Sequence, residues 1–197
     1  MDASHPGRMP VSTANRSTRD ILRIDLAHMV EPDGRSGLWR RMDLLVRLAV
    51  FPRLRTVVYY RWGQALARRG LLPLAYWLES RAIRGSGAEI NPLAQIGPGL
   101  CLMHTVGIVV GPQVRVGERA IIYQGVTLGD GSVPGQPTIG DDVLIGAGAA
   151  VLGGITVGNR VVIGAHAVVT RDLPDDCVAV GAPATWRPRT TSAAPHA

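Results

Sequence analysis

Aliphatic residues recur at every sixth position over the second half of the chain. They form three series: Ile90, Ile96, Leu102 and Ile108; Val110, Val116, Ile122 and Leu128; Ile139, Ile145, Val151, Val157, Ile163 and Val169. Many of them are followed by glycine, and the position four residues further on is small or aliphatic. A strict period of six is typical of a parallel β-helix. A sandwich of alternating strands would give a period of two instead.

The period of six has a geometric explanation. Each hexad supplies one short strand and one corner, and three hexads close a triangular coil of about eighteen residues. The aliphatic side chain points into a narrow interior that has no room for aromatic rings, and Tyr123 is the only aromatic residue between Gly85 and Thr185. We therefore expect a charge at Ile145 or Ile163 to unravel a coil.

The chain before the repeat has a helical pattern. Ser17 or Thr18 is a candidate N-cap for a first helix that ends near Met29, and three further helices are predicted at about 38–49, 54–69 and 73–84. The predicted fold class is thus mainly β, a parallel β-helix preceded by a small α-helical domain. The predicted boundaries are a disordered arm at 1–16, the helical domain at 17–85, the β-helix at 86–186 and a disordered tail at 187–197.

Charge is distributed unevenly along the 197 residues. The chain has 21 Arg and no Lys against 15 acidic residues, a net charge of +6, and eleven of the Arg fall between Arg35 and Arg84. No nucleic-acid-binding motif accompanies this charge, so we expect no nucleic-acid partner. The basic, aromatic helices are compatible with binding at a membrane surface, or with packing against the coil and neighbouring subunits. Two cysteines without an apolar signal segment predict a cytoplasmic protein.

The hexad register breaks twice, from Leu128 to Ile139 and from Val169 to Val180, and each break spans eleven residues instead of six. We therefore predict that each break sends five extra residues out of the coil as a loop. The first loop, GDGSVPGQPT at 129–138, is rich in glycine and proline and is a candidate for substrate contacts.

Three segments carry a specific family resemblance. HTVGIVVGPQVRVGERAIIYQGVTLGD, QPTIGDDVLIGAGAAVLGGITVGNRVVIGAHAVVTRDLP and VGAPA resemble the bacterial serine O-acetyltransferases of the hexapeptide-repeat acyltransferase superfamily. The resemblance implies a left-handed coil, against the usual right-handed crossover rule, and an enzyme of cysteine biosynthesis. It also implies a homotrimer that binds acetyl-CoA in the groove between neighbouring coils, with no metal.

His104 is the candidate general base. Acetyl transfer to a hydroxyl needs a group that accepts the hydroxyl proton, and only His104 and His166 of the five histidines lie in the repeat. The resemblance matches His104 in HTVG with the family's catalytic histidine, and Glu89, fifteen residues earlier, with its acidic partner, an Asp in the family. The alternatives are a surface histidine at position 104 and a solvated charge at position 89.

The family's contacts with CoA match four positions. The resemblance assigns the pantetheine arm to small residues at Gly129, Ala147 and Ala165, and Arg171 is a candidate for the nucleotide phosphates. The alternative is that these residues are ordinary hexad corners. His166 replaces a glycine that is usual at its position and is interpreted as an exposed spacer.

The acceptor site departs from the family pattern. Met103 stands where the family has an acidic residue before the catalytic histidine, and Gly135 and Gln136 stand where it has an Arg-His pair. The acceptor is therefore either serine or the hydroxyl of a sugar or biosynthetic intermediate. A zinc enzyme, which needs about three converging histidines, and a noncatalytic scaffold are the alternatives from other classes. The sequence ends in Ala197, whereas the family's docking tail for cysteine synthase ends in isoleucine, so this partner is not expected.

Overall fold

The structure, a computed structural model, describes residues 16–29 and 37–189. Four helices come first: α1 (Thr18–Met29), α2 (Gly37–Val50), α3 (Pro52–Ala67) and α4 (Leu72–Ser86). Each begins and ends within two residues of the sequence prediction. Ser17 is the N-cap of α1, because its Oγ accepts a hydrogen bond from the Asp20 backbone N–H at 3.2 Å. The predicted arm, apart from Arg16, lies outside the described residues.

Fifteen short strands follow the helices. They are β1 (Glu89–Ile90), β2 (Gln95–Ile96), β3 (Cys101–Leu102), β4 (Val109–Val110), β5 (Arg115–Val116), β6 (Ile121–Ile122), β7 (Thr127–Gly129), β8 (Thr138–Ile139), β9 (Leu144–Ile145), β10 (Ala150–Leu152), β11 (Thr156–Val157), β12 (Val162–Ile163), β13 (Val168–Val169), β14 (Cys177–Val180) and β15 (Thr185–Pro188). They form three sheets, in the orders β1-β4-β7-β10-β13, β2-β5-β8-β11 and β3-β6-β9-β12-β14-β15. Every pairing is parallel except that of β14 with β15. The strands therefore wind around a three-sided prism, as the hexads predict.

The interior of the prism is filled by the hexad residues. Ile139, Ile145, Val157 and Ile163 are at most 2% exposed, and each lies opposite its counterpart one turn away. Burying a side chain of this size contributes roughly 1.5 to 3 kcal/mol. The coil is thus a continuous aliphatic column.

The first turn of the coil is longer than the hexad count predicts. Ile90 pairs with Val110, twenty residues away, and not with Ile108. Ile108 is buried two residues before the inward residue of β4, Val110. Val126 is buried in the same way two residues before Leu128, one turn later. The corner between β3 and β4 therefore holds two extra residues. The extra length lies at residues 103–107, the corner that carries His104.

One of the two predicted loops is present. Val116 pairs with Ile139, 23 residues away, so five residues leave the coil between β7 and β8, as predicted. The second prediction is wrong. Leu173 bridges to Val157, sixteen residues away, and Ala179, not Val180, lies opposite Ile163. The coil loses two residues at this corner instead of gaining five.

The helices join the coil through a buried ion pair. Asp25 of α1 and Arg61 of α3 are 0% and 1% exposed, and Arg61 Nε lies 2.7 Å from the Asp25 carboxylate. Arg61 also donates to the carbonyl oxygens of Ile96 and Gly97 at 2.6 and 2.7 Å. Asp25 accepts from the backbone N–H groups of residues 99 and 100. The pair therefore fixes both helices to the corner between β2 and β3.

The end of the coil is closed by a hairpin. β15 runs back along β14 from Thr185 to Pro188, so the predicted tail boundary at residue 187 falls inside the last strand. Residues 190–197 of that tail lie outside the described residues. In the part of the chain that the structure describes, no helix is both long and apolar enough to cross a membrane.

Candidate active site

His104 lies in the expanded corner between β3 and β4. This corner is fixed by backbone hydrogen bonds from both neighbours: the Gly107 N–H donates to the Gly87 carbonyl at 2.9 Å, and the Val106 carbonyl accepts from the Gly125 N–H at 2.9 Å. Gly107 has a φ of +75°, which favours glycine. The backbone is thus held firmly, while the His104 side chain is exposed.

A pocket of about 330 Å³ opens beside His104. Two segments line it, the start of α3 and the expanded corner: Phe51, Pro52, Arg53, Met103, His104, Thr105 and Val106. Most of these side chains are apolar. Arg53 is the only permanently charged residue among them, and no acidic residue lines the pocket within the described part of the chain. The pocket is large enough for a small molecule.

Glu89 begins β1 and is exposed. It lies opposite Val109, and its backbone N–H donates to the Ile108 carbonyl at 2.8 Å. Glu89 is thus one turn below the strand that follows the His104 corner. No hydrogen bond joins Glu89 to His104 among the described residues, so the role of Glu89 as partner of the base stays a prediction.

A second carboxyl group, Glu79 of α4, lies near Glu89. Burial raises the pKa of Glu79 to about 7, and the negative charge of Glu89 adds to the increase. The sequence analysis did not single out Glu79. Its local sequence, a lone acid in a basic helix, gives no sign that it faces another carboxylate.

The four residues predicted to contact CoA lie on two edges of the prism. The corners at Ala147 and Ala165 are stacked directly, since the His166 N–H donates to the Ala147 carbonyl at 2.8 Å. They lie two and three turns above the His104 corner on the same edge, about 10 and 14 Å along the axis. Gly129 is the last residue of β7, Arg171 follows β13, and both lie on the neighbouring edge. A Cβ at Gly129 would meet no atom within 4 Å, so the space beside it is open.

The other histidine of the repeat is part of the coil wall. His166 has a φ of +56°, and its ring lies where a side chain on Gly148 would otherwise project. It lies three turns above the His104 corner, so the structure does not bring the two histidines together. Among the described residues, no group of three or more His, Cys, Asp or Glu side chains could hold a metal ion.

Gln136 of the first loop is held by one residue of the coil and one of the loop. Gln136 accepts from the Gln113 backbone N–H at 2.9 Å and donates to Asp130 at 3.1 Å. Gly135 has a φ of +98°, where a larger side chain would be strained. Neither residue lines the pocket beside His104. Within one chain, then, the loop supplies no cation for an acceptor.

Sequence reasoning missed Arg53 and the pair of Asp25 and Arg61. One signal for the pair was readable: Asp25 falls four residues after Ile21 and four before Met29, on the buried face of α1. A charge on an apolar stripe needs a buried partner. Arg53 has no such signal, because it lies among many other arginines at the start of a helix.

The repeat matches two family models. "Bacterial transferase hexapeptide (six repeats)" matches residues 136–171, and "Hexapeptide repeat of succinyl-transferase" matches residues 107–133. The structure resembles solved members of one enzyme family. It aligns to a serine acetyltransferase from Neisseria gonorrhoeae in complex with serine with a TM-score of 0.74 and 34% identity, over 85% of this chain and 68% of that one. The fold class, a left-handed parallel β-helix after a small helical domain, is thereby confirmed.

Two further comparisons also match serine acetyltransferases. A serine acetyltransferase from Helicobacter pylori is 44% identical over 140 residues, which are 70% of this chain and 82% of the relative. A serine acetyltransferase in complex with CoA aligns with a TM-score of 0.75 and 32% identity, over 88% of this chain and 71% of that one. The similarity therefore extends beyond the repeat into the helices.

Proposed function

The chain belongs to the serine acetyltransferase family and is an acyltransferase, and from this premise we propose that it transfers the acetyl group of acetyl-CoA to the hydroxyl of L-serine. The observation that carries the proposal is the position of His104, an exposed imidazole that lines a pocket of small-molecule size. The relatives' names and the structures with serine and CoA favour this acceptor over a sugar.

His104 acts as the general base. Its neutral imidazole accepts the proton of the serine hydroxyl while the oxygen attacks the carbonyl carbon of the thioester. The carbon–sulfur bond breaks, and the departing CoA sulfur takes the proton from the imidazolium, which returns the ring to its neutral form. Glu89 orients the ring and stabilises its positive charge, in the manner of the carboxylate in a catalytic triad.

CoA runs along the edges of the coil. The small side chains of Ala147 and Ala165 leave the edge above His104 open, so an extended pantetheine arm can lie against these corners with its thioester towards the imidazole. Gly129, beside open space on the neighbouring edge, leaves its backbone accessible to the arm. Arg171 is exposed and meets the nucleotide phosphates.

The enzyme is a homotrimer. Two apolar side chains near His104 support a covering subunit, because Val106 is 72% exposed and Val109 is 38% exposed. The groove between two coils would then complete the CoA site. Light scattering should give three times the chain mass, and a monomer that is fully active would contradict the trimer. Free, buried Cys101 and Cys177 support a reducing, cytoplasmic location.

The His104→Ala variant tests the proposal. We expect its turnover with acetyl-CoA and L-serine, measured by release of the CoA thiol, to fall by about a hundredfold or more. The exposed side chain can be removed without a cavity, so the melting temperature should stay within about 2 °C of the wild type. The control is His166→Ala, which should keep turnover at saturating acetyl-CoA within about threefold because that ring lies three turns from the imidazole of His104.

The acceptor is tested with the wild-type enzyme. Thiol release should be faster with L-serine than with L-homoserine or with sugars such as N-acetylglucosamine. Wild-type turnover in His104→Ala would contradict the role of the base, and faster turnover with a sugar would contradict the acceptor.

A further inference from the structure

Arg53 has no anionic partner in the part of the chain that the structure describes. It is the second residue of α3, and its Nε atom is buried with no hydrogen-bond partner in the described structure. Its Nη1 donates only a long hydrogen bond of 3.4 Å to the Met103 carbonyl. No carboxylate within the described ranges forms an ion pair with it. Arg61 of the same helix, in contrast, satisfies its guanidinium with Asp25 and two carbonyls.

The surroundings of Arg53 favour binding of an anion. Its guanidinium carbon lies 5.8 Å from the centre of the Phe51 ring, and Pro52 and Met103 line the pocket beside it. The side chains of these neighbours offer neither a negative charge nor a strong hydrogen-bond acceptor. A buried N–H that lacks an acceptor costs free energy. A ligand carboxylate that binds the outer nitrogens of the guanidinium would offset that cost with charge-assisted hydrogen bonds.

His104 and Arg53 line the same pocket. A ligand that binds there can present its hydroxyl to the imidazole and a negatively charged group to the guanidinium. Among the described residues of one chain, no other arginine lines this pocket, and Gln136 of the first loop is held by Asp130 and Gln113. Arg53 is therefore the group best placed to bind an anionic acceptor.

We propose that Arg53 is the carboxylate-binding residue of the acceptor site. The inference rests on the proposed function, since it assumes that the acceptor's hydroxyl meets His104. It also predicts a chemical class. Because Met103 and its neighbours offer no carboxylate for an ammonium group, the site recognises small hydroxy carboxylates and discriminates little on the amine.

The test compares Arg53→Met with the matched control Arg55→Met. Arg55 lies on the same helix, but it donates to the Ala49 carbonyl and does not line the pocket. The acceptors are L-serine, L-serinamide, which lacks the carboxylate, and 3-hydroxypropionate, which lacks the amine. KM and kcat are measured for each by thiol release at saturating acetyl-CoA.

In Arg53→Met, we expect KM for L-serine and for 3-hydroxypropionate to rise about 10- to 100-fold, with kcat changed less than about threefold, because a charged hydrogen-bonding partner is lost. The preference of the wild type for serine over serinamide should disappear. Arg55→Met should leave KM within about twofold. Arg53→Lys, which keeps the charge but loses the two-pronged geometry, should give an intermediate KM.

Two results would overturn the inference. One is an unchanged preference for serine over serinamide in Arg53→Met. The other is a wild-type KM for 3-hydroxypropionate more than a hundred times that for L-serine, since it would mean that the amine is bound strongly. Failure of the proposed function looks different, because the wild type would then release no thiol with any of these three acceptors. In that case, thermal-shift titration with 3-hydroxypropionate decides, and the inference requires a shift that Arg53→Met abolishes.

Discussion

The upper and lower turns of the coil use the same backbone but differ in what surrounds it. From β8 to β13, parallel partners are eighteen residues apart, the interior is aliphatic, and charged pairs such as Arg160 with Asp176 lie at the exposed corners. The first turn is twenty residues long and is covered by α1, α3 and α4. It contains a buried ion pair and a pocket. The regular turns thus form a scaffold, and the candidate base with its pocket lies where the repeat is irregular.

The difference has a physical reason. A hexad in a regular turn needs only contacts with its counterparts about eighteen residues away, so its sequence is constrained to small and aliphatic residues. The first turn has no turn below it. Helices cover it instead, and the polar side chains of α1 and α3 that hydrogen-bond to it lie 30 to 75 residues away in sequence. The end of a repeat is therefore where new side chains can meet.

The largest expected effect is in the upper coil. Ile145 is 0% exposed and lies between Ile122 and Ile163. Ile145→Asp would bury a charge with no partner, at a cost of several kcal/mol that approaches the whole stability of a domain, about 5 to 15 kcal/mol. We expect loss of cooperative thermal unfolding, measured by circular dichroism. Ile145→Val, the control, should cost about 1 kcal/mol. A cooperative transition near the wild-type temperature in Ile145→Asp would contradict the assignment of the core.

The junction between helices and coil should be the next most sensitive. Asp25→Ala leaves Arg61 buried without its counter-charge, and we expect the free energy of unfolding in urea to fall by about 3 to 5 kcal/mol. Arg23→Ala, on the same helix, removes only an exposed pair with Asp20 at 3.6 Å and should cost less than about 0.5 kcal/mol. The double variant Asp25→Leu/Arg61→Met should recover part of the loss. Equal effects of the two alanine variants would show that the buried pair does not hold the junction.

The same division explains what the sequence could predict. The strand register from Ile139 to Val169 can be predicted from the sequence, because each inward residue is aliphatic and successive inward residues are six positions apart. Counting in steps of six fails at both ends of the coil for the same reason. There, a residue close to the true inward residue is equally aliphatic. Ile108 continues the count from Leu102 although Val110 occupies the strand position. Val180 likewise stands next to the true inward residue, Ala179.

Only part of the candidate active site could be predicted from the sequence. His104 could be proposed because a hydroxyl acceptor needs a base and few histidines lie in the repeat. Arg53 could not be proposed, because the argument for it depends on a hydrogen-bond partner that is missing in the folded structure. A buried Nε without an acceptor is a property of the packed pocket. No pattern in the sequence distinguishes Arg53 from Arg55, whose guanidinium donates a hydrogen bond to the Ala49 carbonyl.

The smallest expected effect concerns the acidic pair at the first turn. Glu79 has a pKa of about 7 in the folded chain against an ordinary value of 4.5. The folded state therefore holds this proton more tightly, and the stabilisation it provides is complete below about pH 4.5 and is lost as the pH rises through about 7. Glu79→Gln should match the wild type at pH 4.5 and exceed it at pH 8. Because Glu79 is half-buried and screened by solvent, we expect a gain of about 1 kcal/mol or less in urea unfolding. Glu89→Gln should give part of the same gain, since Glu89 is the smaller cause of the raised pKa. If the stabilities of the wild type and Glu79→Gln change in parallel between these pH values, the pKa of Glu79 is not raised, and this carboxyl group then behaves like the exposed charges of the upper coil.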